Sequence, residues 1–209
     1  MSATPFMSLR RLAAQRQDVE QCDLCSAPLR EGHRHLLEPA RRQLVCACDP
    51  CSILFSGHSD RRYKKVPDRI LHLAGFEMPD ELWDSLLVPV NMAFFFRSTP
   101  EERMVALYPS PAGATESLLG LEAWEELEAA NPILREMEPD VEALLVNRVG
   151  NIRAHYLVSI DRCYELVGLI RSGWRGLSGG TEVWRTIDGF FKDVESKAKQ
   201  VGEPPTAHA

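Results

Sequence analysis

Cys22-Asp23-Leu24-Cys25 and Cys48-Asp49-Pro50-Cys51 form two C-x-x-C pairs with 22 residues between them. Thiolates are soft ligands, and four at this spacing can close a tetrahedral shell around one metal ion. Each C-x-x-C turn brings two sulfurs and local backbone N–H groups to one point, so Cys22, Cys25, Cys48 and Cys51 are the expected ligands. Cys46 stands only one residue before Cys48, which is a tighter and rarer bite. In an extended strand the two share a face, so Cys46 is expected near the metal, as a neighbouring thiol or an alternative ligand. His33 and His35 flank Arg34, and on a strand both point to one side. They read as ordinary polar strand positions, or as members of a mixed Cys/His site or a pH-sensitive surface.

Three chemistries fit the cysteines. Closed all-thiolate sites are usually structural zinc. Iron is the competing metal, as a single rubredoxin-type ion or an iron–sulfur cluster, and a fifth cysteine keeps it open. A metal-free thiol–disulfide pair is the third, and against it no strand-to-helix surrounding is read around either pair.

The elements that must hold these residues are short. His33–Glu38 and Arg42–Cys46 read as two strands around a turn at Pro39-Ala40-Arg41. Knuckle, hairpin, knuckle over residues 21–57 is the zinc-ribbon-like, or rubredoxin-like, arrangement. A unit so small needs its metal for stability. Residues 1–20 are expected as a flexible arm, with 8–16 a short basic helix at most. Residues 58–86 are a connector holding the basic run Arg61–Lys65, a short element at Val66–Leu73 and a helical turn at Pro79–Leu86. Residues 87–200 form a larger α+β domain, and 201–209 a disordered tail.

In that larger domain Val90–Arg97 and Met104–Tyr108 read as one hairpin, and Val141–Arg148 and His155–Ile160 as another around Gly150-Asn151. Leu121, Trp124 and Leu127 share one helical face, and Asn131-Pro132 stops that helix. One closing helix carries Tyr164, Leu166, Val167, Leu169 and Ile170. The other carries Trp184, Ile187, Phe191 and Val194. This order predicts an antiparallel sheet with helices on one face.

A net charge of -6 provides no general attraction for nucleic acid or anionic lipid. No window reaches the roughly 18 apolar residues of a membrane span. Arg10-Arg11 lacks the apolar stretch of an export signal, so a cytoplasmic protein with reduced cysteines is expected. Cys163, in an apolar run, reads as an inert core thiol.

Two further loops could bind a ligand: 109–117, rich in small residues, and 175–181, whose glycines precede a helix. Neither carries a phosphate-loop or dinucleotide motif, and tight turns with Thr181 as helix cap explain them as well. Glu116, Arg148, Asp161 and Arg171 are candidate pocket groups without diagnostic spacing. With no H-E-x-x-H or G-x-S-x-G, a binding or assembly protein is expected over an enzyme.

Several stretches together resemble one uncharacterised bacterial family. They are Cys22–Cys25, His33–Leu37, Cys46–Cys51, Tyr108–Ser117, Asp140–Arg148 and Trp174–Gly180, spread over about residues 20–192. The family resembled is encoded beside high-affinity, actinobacterial-type nickel–iron hydrogenases. The resemblance implies a role in hydrogenase assembly, maturation or electron delivery, with a hydrogenase subunit or maturation factor as partner. It implies no catalytic residue.

Overall fold

The structure, a computed structural model, describes residues 20–56, 62–118, 120–176 and 179–202. Residues 1–19 of the expected arm, the basic residue Arg61 and residues 203–209 lie outside the described residues, while Val201, expected in a disordered tail, ends a strand instead.

The first unit is a hairpin. Strands β1 (Arg34–Glu38) and β2 (Gln43–Ala47) pair antiparallel across a 3-10 turn at Pro39–Arg41. Arg42 takes the left-handed conformation that closes that turn. Helix α1 (Asp49–Phe55) follows at once, and β3 (Lys64–Lys65) adds to the other edge of β1.

The second unit is a seven-stranded sheet. Its strands are β4 (Ile70–Leu73), β5 (Met92–Ser98), β6 (Arg103–Ser110), β7 (Gly113–Ser117), β8 (Glu142–Asn147), β9 (Ala154–Ser159) and β10 (Lys199–Val201). They lie in the order β10-β4-β9-β8-β5-β6-β7. All pairs are antiparallel except β10 with β4, which is parallel. The connector therefore supplies a strand to the large sheet, and residues 199–201 close its edge. Arg69, just before β4, donates two hydrogen bonds of 2.6 Å to the buried carboxylate of Glu142 on β8.

Helices cover both faces of this sheet, not one. Phe94, Phe96, Val105 and Leu145 pack under α4 (Ile160–Gly173) and α5 (Gly180–Lys197). Ala93, Phe95, Ala106 and Leu144 pack under α2 (Asp80–Ser85) and α3 (Leu121–Ala130). Alternate residues of one strand thus enter two different cores, because successive side chains point to opposite faces. Cys163 is wholly buried, as expected, and burial pushes its thiol pKa well up. Trp184, expected on the buried face of α5, is 41% exposed, and its neighbour Val183 is buried instead.

The hairpin does not hang from a tether. Leu37 and Val66 are buried in the core beneath α4 and α5, with Leu44 against them. Lys64 pairs with buried Asp140 at 2.6 Å, and Asp140 also accepts from the Thr99 backbone N–H and hydroxyl at 2.8 and 2.6 Å. Arg42 reaches Glu116 at 3.0 Å and also pairs with Glu101. Arg62 pairs with Glu38 at 3.1 Å. Cations of the basic run thus serve internal ion pairs.

His155 on β9 is 5% exposed, lies 4.6 Å from the Phe76 ring and has no hydrogen-bond partner for Nε2 among the described residues. Burial, helped by the charge of Arg148, pushes its pKa down to about 4. The unfolded chain titrates near ~6.5, so it takes up a proton first as the pH falls. The stability from keeping His155 neutral is complete above that value and is lost on the way down to the folded pKa. The loss is about 3 kcal/mol at full protonation. Urea unfolding of wild type and His155→Leu at pH 7 and pH 4.5 checks this. The stability difference between the two proteins should shift in favour of His155→Leu in acid, and a constant difference would count against it.

Candidate metal centre

The first knuckle is a closed turn. The Cys22 N–H donates to the Ala27 carbonyl, and the Ser26 N–H to the Cys22 carbonyl, both at 2.8 Å. Ser26 has a φ of 60°, which reverses the chain directly after Cys25. Asp23 fastens the turn to β2. Its N–H donates to the Cys46 carbonyl at 2.9 Å, and its carboxylate accepts from the Cys46 N–H at 2.7 Å. Nothing in the C-x-x-C spacing announces this role of the intervening aspartate.

The second pair sits at a helix start. Cys48 caps α1, Pro50 lies in its first turn and Cys51 follows within it. Proline is tolerated there because that N–H lacks an intrahelical partner anyway. This corrects one expectation: the second pair does lie between a strand and a helix. The thiol–disulfide reading loses that objection. The convergence of all four thiols is what now argues for a metal.

The ligand atoms of Cys22, Cys25, Cys48 and Cys51 all lie within 4.8 Å of one another. Cys25 Sγ and Cys48 Sγ are 3.6 Å apart. A tetrahedral shell with metal–sulfur bonds of about 2.3 Å has sulfurs roughly 3.8 Å apart. Cys22 and Cys51 are buried, Cys48 is half-buried and Cys25 is exposed. Leu36, Val45 and Ala47 complete the small core around the buried pair.

Electrostatics agree with a cation. Burial opposes ionisation of Cys22, but backbone N–H groups of Cys48, Leu24 and Cys25 outweigh it and bring its pKa down to about 6. Burial and the neighbouring thiols push Cys51 upward. Four thiols this close cannot all ionise without a positive charge among them. The set could hold a metal ion such as zinc or iron.

Cys46 belongs to a different group. Its sulfur clusters with His33 and His35, whose rings are 4.9 Å apart, as their shared strand side predicts. Asp161, the first residue after the start of α4, joins them through His35 and raises that histidine's pKa.

The other candidates do not converge. Residues 109–117 are the end of β6, a tight turn and β7, an edge hairpin where a loop was expected. Glu116 pairs there with Arg103 and Arg42, which lower its pKa. Arg148 is buried elsewhere, against Asp80, the Met78 carbonyl and the Trp83 ring. Arg171 lies in the last turn of α4. In the loop 175–181, Leu177 and Ser178 lie outside the described residues. Its glycines 176, 179 and 180 take positive φ, the tight turn expected. Gly179, not Thr181, caps α5, and a Cβ there would meet Val183 at 2.8 Å.

No helix among the described residues is long and apolar enough to cross a membrane. No curated protein and no solved structure matches the chain. Residues 21–198 match the family of unknown function DUF5947.

Proposed function

The chain belongs to the DUF5947 family, and for this member of it we propose a non-enzymatic, metal-binding accessory protein built on a closed four-thiolate zinc site. The observation that carries the proposal is the convergence of Cys22, Cys25, Cys48 and Cys51 at close to tetrahedral sulfur spacing. Four protein thiolates leave no position for substrate, which is the arrangement of structural rather than catalytic zinc. In this reading zinc clamps the first knuckle and α1 onto the hairpin as a zinc-ribbon-like module.

The rigid module presents α1 to a protein partner. Ile53 and Leu54, next to the ligand Cys51, are 75% and 68% exposed. Adjacent exposed aliphatics beside a metal-braced turn suit a docking surface better than a solvated one. The motif resemblance supports a cytoplasmic nickel–iron hydrogenase subunit or maturation factor as that partner.

The test is metal analysis of native protein, followed by capture from a hydrogenase-expressing host. Colourless protein with zinc that is lost in Cys22→Ser supports the reading. An Ile53→Asp/Leu54→Asp variant should keep its zinc and lose about tenfold or more of the captured partner, as substitution of a docking anchor does. Unchanged capture would remove α1 from the interface.

A second reading has its own support. Exposed Cys25 puts an edge of the shell at the surface, where an iron site could exchange electrons with a partner. Charge-transfer colour and a reversible redox titration after anaerobic purification would replace zinc with this electron-transfer role.

A further inference from the structure

The hairpin has a second face with its own chemistry. The register sets His35 opposite Cys46 and Leu37 opposite Leu44. Leu36, Val45 and Ala47 turn toward the four-thiol core, whereas Leu37 and Leu44 turn toward the large sheet. By strand alternation His35 and Cys46 share the side of Leu37 and Leu44, away from the four-thiol shell. His33 lies on that side too, and one ligand atom from each of His33, His35 and Cys46 falls within 4.8 Å of the others.

Both imidazoles are already oriented through Nδ1. His35 Nδ1 is 2.8 Å from the Asp161 carboxylate, a residue brought from the start of α4. His33 Nδ1 is 3.3 Å from the Arg30 carbonyl and 3.4 Å from the Glu20 carboxylate. A carboxylate or carbonyl that accepts from Nδ1–H leaves the Nε2 lone pair for a metal, the usual support for a ligating histidine. Among the described residues His33 Nε2 has no hydrogen-bond partner, although its side chain is only 10% exposed. A polar atom buried in this way is costly unless something binds it.

We propose that His33, His35 and Cys46, with Asp161 as the positioning residue for His35, form a second metal site for a late first-row divalent ion of the zinc class. Two imidazoles and one thiolate are a borderline donor set, suited to such ions and unsuited to magnesium or calcium. Three protein ligands leave a fourth position open, unlike the four-thiol shell. Both histidines line a cleft of about 660 Å³ together with Asp161 and Arg162. The site therefore has room for an exchangeable water or a small anionic ligand on the metal. It lies at the seam between the hairpin and the large sheet, so an ion there would also join the two.

The test is a cobalt(II) titration of metal-stripped full-length protein. The ligand-field bands of a tetrathiolate cobalt centre differ from those of a centre with two imidazoles and one thiolate, so they read the first site separately and failure of the four-thiol reading does not mimic failure of this one. Wild type should bind two equivalents. His33→Gln/His35→Gln and, independently, Cys46→Ser should each bind one, with the tetrathiolate spectrum intact. One equivalent in wild type that carries the tetrathiolate spectrum, or two in the double-histidine variant, would overturn the proposal. So would a Cys46→Ser variant whose tetrathiolate spectrum changes, since Cys46 would then belong to the other shell.

Discussion

Cys25→Ser is expected to abolish tight metal binding at the four-thiol shell and to release residues 20–33 and 46–56 from the fold, while the seven-stranded sheet stays intact. Cys25 is exposed, and serine is nearly its size, so the substitution removes no packing of consequence. Whatever follows comes through the metal. The core beneath the knuckles is small: Cys22, Leu36, Val45, Ala47 and Cys51 are its buried members, and two of those five belong to the four converging thiols. Apolar burial of that extent does not offset the ordering of about 25 residues, which costs about 1 kcal/mol or more each. Structural zinc in small domains contributes about 10–16 kcal/mol of apparent binding energy, enough to reverse the balance. The hairpin itself should persist in part, because Leu37 and Leu44 pack on the large sheet and β1 pairs with β3. Hydrogen exchange read by mass spectrometry separates these regions. Protection should vanish in the two knuckles and in α1, and remain in β5, β8 and β9. Chelation of wild type should give the same map. Full protection of the knuckles in Cys25→Ser would mean that the thiols are not a metal shell.

The convergence of the four cysteines was legible because C-x-x-C chemistry is local. The residues around them were less so. α1 has seven residues with Pro50 in its first turn, too short for periodicity and easily taken for a loop. The pairing of His35 with Asp161 spans 126 positions, and no window holds both. β7 reads as a loop because Gly113, Ala114 and Ser117 have little strand propensity. Its pairing with β6, from Ala106–Ser117 to Ser110–Gly113, is imposed by tertiary structure. The error over the helices is more instructive. The unbroken run Ala93-Phe94-Phe95-Phe96 and the run Ala143-Leu144-Leu145-Val146 already say that both faces of these strands are buried. A sheet with helices on one face would have shown alternation instead. The missing cover had to come from the helices at 80–85 and 121–130, which pattern alone does not assign to a face.

Phe95→Ala is expected to be the most damaging single change in the large domain. Phe95 is wholly buried at the centre of the sheet, opposite Ala106 on one side and Leu144 on the other. Its ring stacks on Trp124 at 5.7 Å and meets the edge of Trp83 at 6.4 Å. These contacts pin α2 and α3 to the face of the sheet away from the hairpin. Removal of a buried phenylalanine costs about 3–5 kcal/mol, as lost transfer energy plus the cavity left behind. The upper end applies here, because β5 is held between two strands and neither can collapse inward. Against a total stability of about 5–15 kcal/mol this is a large fraction. Phe95→Leu keeps most of the volume and should lose about 1.5 kcal/mol or less, as shape changes in a packed core do. Urea unfolding followed by tryptophan fluorescence measures both, since Trp83 and Trp124 report from the affected face. Metal content should not change in either variant, because the four thiols belong to the hairpin, which packs into the core on the opposite face of the sheet from Phe95. A Phe95→Ala protein that lost its metal while its sheet stayed folded would show that the two faces are coupled, contrary to the separate cores on which this expectation rests.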